Sequence, residues 1–248
     1  MPESAFSRKF LQDIKRVNKT LEAYNNDPGR EKNIHDIRVA IRRLYAIFSL
    51  LPKKARKPYR GKIEKYVKLL KANSKARDCD IIAGRLLIIG APAMADLANK
   101  KKIEIARAIR IARSLGKLPL RLVGAPDEKR VAKMIKKLVG KIEISLPLVL
   151  SDERRITELH MLRRDLRKLR YILGVAKAGN KRIVMKRLAK SAGTEIKLKE
   201  LQNLLGSIHD CDVTIEYLNK KANSGESLAK EISNRNQLYQ EFVNRMKK

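Results

Sequence analysis

The chain has 248 residues, with 58 Lys and Arg against 26 Asp and Glu and a formal net charge of +32. Apolar side chains make up 44% of it, which excludes disorder by composition and leaves length for a packed core, while two cysteines exclude a disulfide framework. A surface of this sign attracts polyanions, so nucleic acid, an anionic membrane and polyphosphate are the partner classes the charge admits.

In chain order, helical periodicity predicts helices over 3–25, 31–51, 56–76, 79–90, 93–115, 127–144, 152–178, 181–220 (with a kink or break near Gly193) and 227–247. The breakers between them include "NNDPGRE" at 25–31, Pro52 and Pro58, "GAP" at 90–92, "GKLP" at 116–119 and "ANSGES" at 222–227. Asp127 and Asp152 read as helix caps or first-turn acids, and 116–126 as a loop. The N-terminus "MPESAFSRKF" lacks the apolar core of a signal peptide. The apolar-rich region 81–98 is interrupted by Gly84, Arg85, Gly90 and Pro92, short of the ~20 apolar residues a bilayer span needs. A soluble cytoplasmic protein with no membrane partner and no cofactor is expected.

The positive charge is concentrated. Residues 30–77 hold 16 basic and 3 acidic side chains, and residues 154–199 hold 15 and 3. Each window carries the same pattern near its start. In "IHDIRVAIRRLYAI" (34–47), His35, Arg38 and Arg42 lie at i, i+3 and i+7, opposite Ile37, Ile41, Leu44, Phe48 and Leu51. In "LHMLRRDLRKLRYI" (159–172), His160, Arg163 and Arg167 repeat that phase, Arg170 extends it, and Leu162, Leu166, Leu169 and Leu173 form the apolar side.

A second pair of segments follows the same order. "KARDCDII" (75–82) aligns with "SIHDCDVT" (207–214), placing Asp78 over Asp210, Cys79 over Cys211 and Asp80 over Asp212. Between the motifs, Lys57, Lys68, Lys71 and Lys75 share one helix side, flanked by Arg60 and Lys65, opposite Ile63, Tyr66, Val67 and Leu70. Lys186, Lys190 and Lys197 are the looser equivalents in the second half. Two ordered matches point to an internal duplication. The fold expected is all-α, a single domain of two pseudo-twofold-related antiparallel helical bundles, repeat 1 over about 1–125 and repeat 2 over about 126–248.

These segments, together with "LKELQNLLGSIHDCDV", resemble the CHAD family, the conserved histidine α-helical domain, across about residues 30–220. The resemblance implies a duplicated helical bundle that binds inorganic polyphosphate on a basic surface. Many relatives carry a fused triphosphate-hydrolysing domain. The 248 residues leave no length for one, so no catalysis is expected.

Polyphosphate carries about one charge per phosphate and no bases, so a row of Lys and Arg grips it, without the aromatic platforms that single-strand binders interleave. The candidate contacts are His35, Arg38, Arg42, Lys65, Lys68, Lys71, His160, Arg163, Arg167, Arg170, Lys190 and Lys197, with Arg43 and Lys168 ranked lower on the helix flanks. A lone histidine is more often structural. Two at equivalent positions beside Arg favour phosphate contact. Lys100–Lys102, Lys136 and Lys137 read as solvated surface, and the cysteines as small buried residues. The two Asp-Cys-Asp runs invite a metal site, but acids at i and i+2 do not share a helix face. Asp78 and Asp210 read instead as caps or as partners that orient basic side chains. RNA or DNA binding through backbone phosphates is the alternative, and a metal-dependent phosphohydrolase the less favoured one.

Overall fold

A computed structural model describes residues 5–91, 95–120, 126, 128–176, 178–192, 198–221 and 224–247. The described residues form α-helices and one 3-10 turn, with no strand among them. The helices are α1 (Ala5–Asn26), α2 (Glu31–Phe48), α3 (Lys53–Arg56), α4 (Arg60–Ile88), α5 (Ala95–Arg113), α6 (Glu128–Ser151), α7 (Ile156–Leu173), α8 (Ala178–Ala192), α9 (Leu198–Leu218) and α10 (Gly225–Lys247). They group into two units, one of Met1–Asp80 with Ala95–Val131 and one of Ile81–Met94 with Ala132–Lys248.

Unit 1 is organised around α1 packed on α2. Phe10, Ile14, Val17, Leu21 and Tyr24 of α1 are buried with Ile34, Ile37, Ile41, Leu44 and Ile47 of α2, the spacing of two amphipathic stripes. Polar pins tie the other elements to this pair. The Tyr24 hydroxyl donates to Asn73 Oδ1 of α4 at 3.0 Å. Asn18 exchanges two hydrogen bonds with the backbone of Leu118, at 2.9 and 2.8 Å. The stretch 115–119 is therefore an ordered loop laid along α1; 121–125 lie outside the described residues.

Sequence expectation and structure part in several places. α4 is one helix, not two, because the junction at Ala76-Arg77-Asp78-Cys79 contains neither Gly nor Pro. It ends at Gly90, whose φ of +70° is the left-handed turn that glycine adopts without strain. Ala91 N–H then bonds Leu86 O at 2.8 Å and Gly90 N–H bonds Leu87 O at 3.2 Å, closing a Schellman cap. α6 runs on through Pro147 to Ser151, and α7 starts only at Ile156. Between them Asp152 accepts the backbone N–H of Arg154 at 3.0 Å, so it caps a turn rather than α7. Asp127 and Gly193 lie outside the described residues; α8 and α9 are separate helices on either side of 193–197. Cys79 and Cys211 are buried free thiols.

In unit 2, α9 packs on α7 and α10. Leu159, Leu162, Leu166, Leu169 and Ile172 meet Leu205, Ile208, Cys211 and Leu218 in the core. A buried bidentate pair closes it, Arg85 donating to the fully enclosed Glu231 at 2.7 and 2.8 Å. On the outside, Arg187 of α8 grips Glu143 of α6 at 3.1 and 2.6 Å.

Candidate functional site

The amphipathic phase of α2 sends its apolar stripe inward and leaves the His–Arg side to the surface only in part. His35 is exposed, whereas Arg38 is 9% exposed and belongs to the core. Arg42 is half-buried and reaches Ser74 Oγ of α4 at 3.4 Å. Arg43 is spoken for by Asp13 of α1, Nε to Oδ1 3.0 Å. Burial raises Asp13, and Arg43, Lys9 and Arg16 oppose that rise. Neither is an open surface cation, as the helix side had suggested: Arg38 is buried, and Arg43 ties α2 to α1. A helix wheel could not reveal this, because the acid that claims Arg43 comes from another helix.

Lys65, Lys68 and Lys71 of α4 are exposed, as are Arg60 and Lys75. The face opposite them is rotated by one residue from the expected one: Ile63, Tyr66, Leu69, Ala72, Asn73 and Ala76 are buried, while Val67 and Leu70 are half-buried. Lys57 lies in the 3-10 turn before α4 and, with Lys53, Arg56 and Arg60, lines a cleft of about 690 Å³ beside Tyr45. Tyr59 and Tyr66 are buried, so neither offers a ring to a base.

In unit 2, α7 carries His160, Arg163, Arg167 and Lys168 half-buried and Arg170 exposed, its guanidinium 5.5 Å from the centre of the Tyr171 ring. Burial lowers Arg167, partly offset by Tyr171 and Asp210; burial also lowers Lys168, which faces Lys141 and Lys137 of α6. Lys136 and Lys137 are themselves exposed, as expected of solvated surface. The side chain of Lys190 and the whole of Lys197 lie outside the described residues.

The histidine of α7 sits in a network that the sequence pattern did not expose. His160 Nε2 lies 3.0 Å from Asp212 Oδ2 and 3.1 Å from His209 Nδ1. Asp212, 8% exposed, accepts Arg235 Nε of α10 at 3.1 Å on its other oxygen, and Arg235 also donates to the carbonyl of Glu153 at 2.7 Å. The two imidazole rings meet edge to face, 4.5 Å between centres. Burial pushes His209 down to about 3, with Arg163 and His160 acting in the same sense. His209 and Arg235 are the residues that sequence reasoning missed; Asp212, weighed there only as a candidate metal ligand, is engaged by His160 and Arg235. The available signal was the i, i+3 spacing of His209 and Asp212, which puts them on one face of α9.

Of the two roles expected for the remaining acids, capping is not seen and pairing with cations is. Asp78 and Asp210 lie inside α4 and α9, not at caps. Asp210 supports the charges of Arg85 and Arg167. Asp80 pairs with Lys101 at 2.5 Å, so Lys101 is not free surface charge. Among the described residues no group of three or more His, Cys, Asp or Glu is placed to hold a metal ion, and no helix is long and apolar enough to cross a membrane.

An all-helical chain with two basic helix faces and a pair of aligned histidine motifs is the setting in which the family comparison falls. The CHAD domain matches residues 12–219, and the chain belongs to the CHAD family. Comparison with curated proteins finds no match.

Proposed function

We propose that this protein binds inorganic polyphosphate, without turning it over, on the basic helix faces of its two units. The observation that carries the reading is the exposed row of Lys65, Lys68, Lys71 and Lys75 on α4, whose neighbouring tyrosines Tyr59 and Tyr66 are buried. Such a surface offers charge without stacking platforms, which suits a base-free polyanion. In unit 2 the corresponding contacts are His160, Arg163, Arg167 and Arg170. Membership of the CHAD family supports the same ligand. We also infer that the two repeats, about 1–125 and about 126–248, descend from one duplicated bundle. The support is that each Asp-Cys-Asp run has a buried cysteine and a second acid paired with a cation, Asp80 with Lys101 and Asp212 with Arg235.

RNA or DNA is the second reading, favoured by the Arg170–Tyr171 pair, on which a base could stack. A metal-dependent phosphohydrolase is disfavoured because Asp80 and Asp212 are already engaged by cations. Metal-dependent release of orthophosphate, lost in Asp78→Asn and Asp210→Asn, would establish turnover.

The test is titration with long-chain polyphosphate. Each charge-assisted contact contributes ~1.5–3 kcal/mol, less where hydrated. Replacing Lys65, Lys68 and Lys71 together by Ala should weaken binding by at least about 100-fold and flatten the log–log salt dependence by roughly one unit per lost contact. The charge-matched control replaces Lys117, Lys220 and Lys230, whose ammonium groups sit in ion pairs with Glu22, Glu216 and Glu226. Equal losses in the two triple variants would reduce the site to net charge alone.

A further inference from the structure

His160 has one nitrogen committed. Asp212 Oδ1 accepts from Arg235 on the far side, so Oδ2 is the acceptor towards His160 and the nitrogen 3.0 Å away carries a proton. That fixes the ring proton on Nε2. The same N–H points at His209 Nδ1, 3.1 Å away, which must then be a bare acceptor, with the His209 proton on Nε2. With a single ring proton, placed this way, His160 can offer an approaching phosphate only the lone pair of Nδ1. A lone pair repels an anionic oxygen. To donate to phosphate, His160 must first take a second proton, at Nδ1.

We propose that Asp212, Arg235 and His209 are positioning residues that make polyanion binding in unit 2 proton-linked, His160 taking up a proton at Nδ1 as the anion docks. The inference rests on the polyphosphate reading and adds to it. Arg235 faces Asp212 from α10, and Arg163 and Arg167 of α7 lie with Asp212 around the adjoining ring of His209, while Asp210 of α9 lies with Arg85 and Arg167. An anion docking at Nδ1 brings negative charge to that atom, and negative charge there favours a proton. His209 does not compete for the proton, because burial keeps it neutral down to about pH 3. Lys137 and Lys141 of α6 face Lys168, two turns along α7. The proton moves from solvent to Nδ1, and no bond other than N–H forms or breaks.

In unit 1 the position aligned with His209 is Arg77, and Asp80, aligned with Asp212, is held by Lys101. His35 lies exposed on α2. The proton linkage is therefore assigned to His160.

The experiment is calorimetric titration of the full chain with long-chain polyphosphate at pH 8, in two buffers of different ionisation enthalpy. It is paired with nitrogen-15 shifts of the ring nitrogens before and after saturation. Internal phosphates of a long chain have no proton that titrates near this pH, so uptake reports on the protein. The expected result is uptake of about one proton per chain, affinity falling by up to about tenfold per pH unit as pH rises. His160 Nδ1 should go from bare to protonated while His209 stays in its Nε2–H form. His160→Gln should remove the uptake and the pH dependence while leaving residual binding by the lysines. Asp212→Asn, which leaves Arg235 short of a counter-ion, is accepted only with a native circular-dichroism spectrum; it should lower the uptake, and full uptake in folded Asp212→Asn would overturn the positioning role. Tight binding with no buffer dependence, or a ring already doubly protonated in the free protein, would overturn the linkage and leave polyphosphate binding standing. Failure to bind polyphosphate at all would overturn both.

Discussion

The two histidine motifs look alike in sequence and differ in chemistry. His35 is exposed, and among the described residues it makes no hydrogen bond; His160 is held by Asp212 and His209. The difference arises on the partner helix. Where α9 carries His209, α4 carries Arg77, which turns to Glu31 at the start of α2. An arginine there supplies a fixed cation that salt-bridges along the surface. A histidine supplies a ring that packs against His160. The lesson is that a motif fixes which side chain is presented, while a residue one turn away on another helix fixes its protonation and reach.

The same contrast runs through the ion pairs near the buried cysteines. In unit 2, Arg85 meets a Glu231 with no exposed surface; in unit 1, Lys75, 57% exposed, meets Glu104. The largest expected effect follows. Arg85→Ala strands a buried carboxylate and should destabilise by about 3–5 kcal/mol, measured by urea unfolding. Lys75→Ala leaves Glu104 with a second cation, Arg107, and removes an exposed ammonium, so it should cost less, about 1 kcal/mol. Equal costs would erase the contrast.

Acid should separate the units next. The folded value of His209 is about 3, below the ordinary histidine value near 6.5, so the unfolded chain binds the proton first as pH falls. Stability owed to His209 is complete above about pH 6.5 and is lost from there towards about pH 3, by less than about 1.4 kcal/mol per pH unit because the ring is partly open to water. His209→Gln should flatten that limb of the stability profile. An unchanged limb would assign the acid loss to other groups.

A smaller effect sharpens the comparison. His209→Arg makes α9 resemble α4 at this position. It should remove the acceptor facing His160 and shift the His160 ring resonances; because the longer side chain carries its charge outward, as Arg77 does in α4, stability should change by about 1 kcal/mol. Resonances that do not move would show that the two rings are neighbours without being coupled.

Much of the fold was legible because the apolar spacing of α2 and α7 repeats every three to four residues, and those stripes are the ones buried. The single helix α4 was misread as two, although the lack of Gly and Pro in Ala76–Cys79 was the available sign of continuity. At the site, the exposed lysines of α4 followed from the same wheel. Arg38, Arg43 and Lys101 did not, because their environments come from Asp13, Asp80 and packing contributed by distant segments. His209 was missed because its partner, His160, lies 49 residues away, and only folding brings α7 to α9.

The most direct test of polyphosphate recognition is competition, at physiological salt, between long-chain polyphosphate and single-stranded RNA of matched charge for the full chain. Base-free recognition by exposed lysines and arginines predicts that polyphosphate displaces RNA at a fraction of its charge concentration, and that Tyr45→Ala and Tyr171→Ala leave the ratio unchanged. RNA holding its own against polyphosphate, with the ratio collapsing in those tyrosine variants, would contradict it.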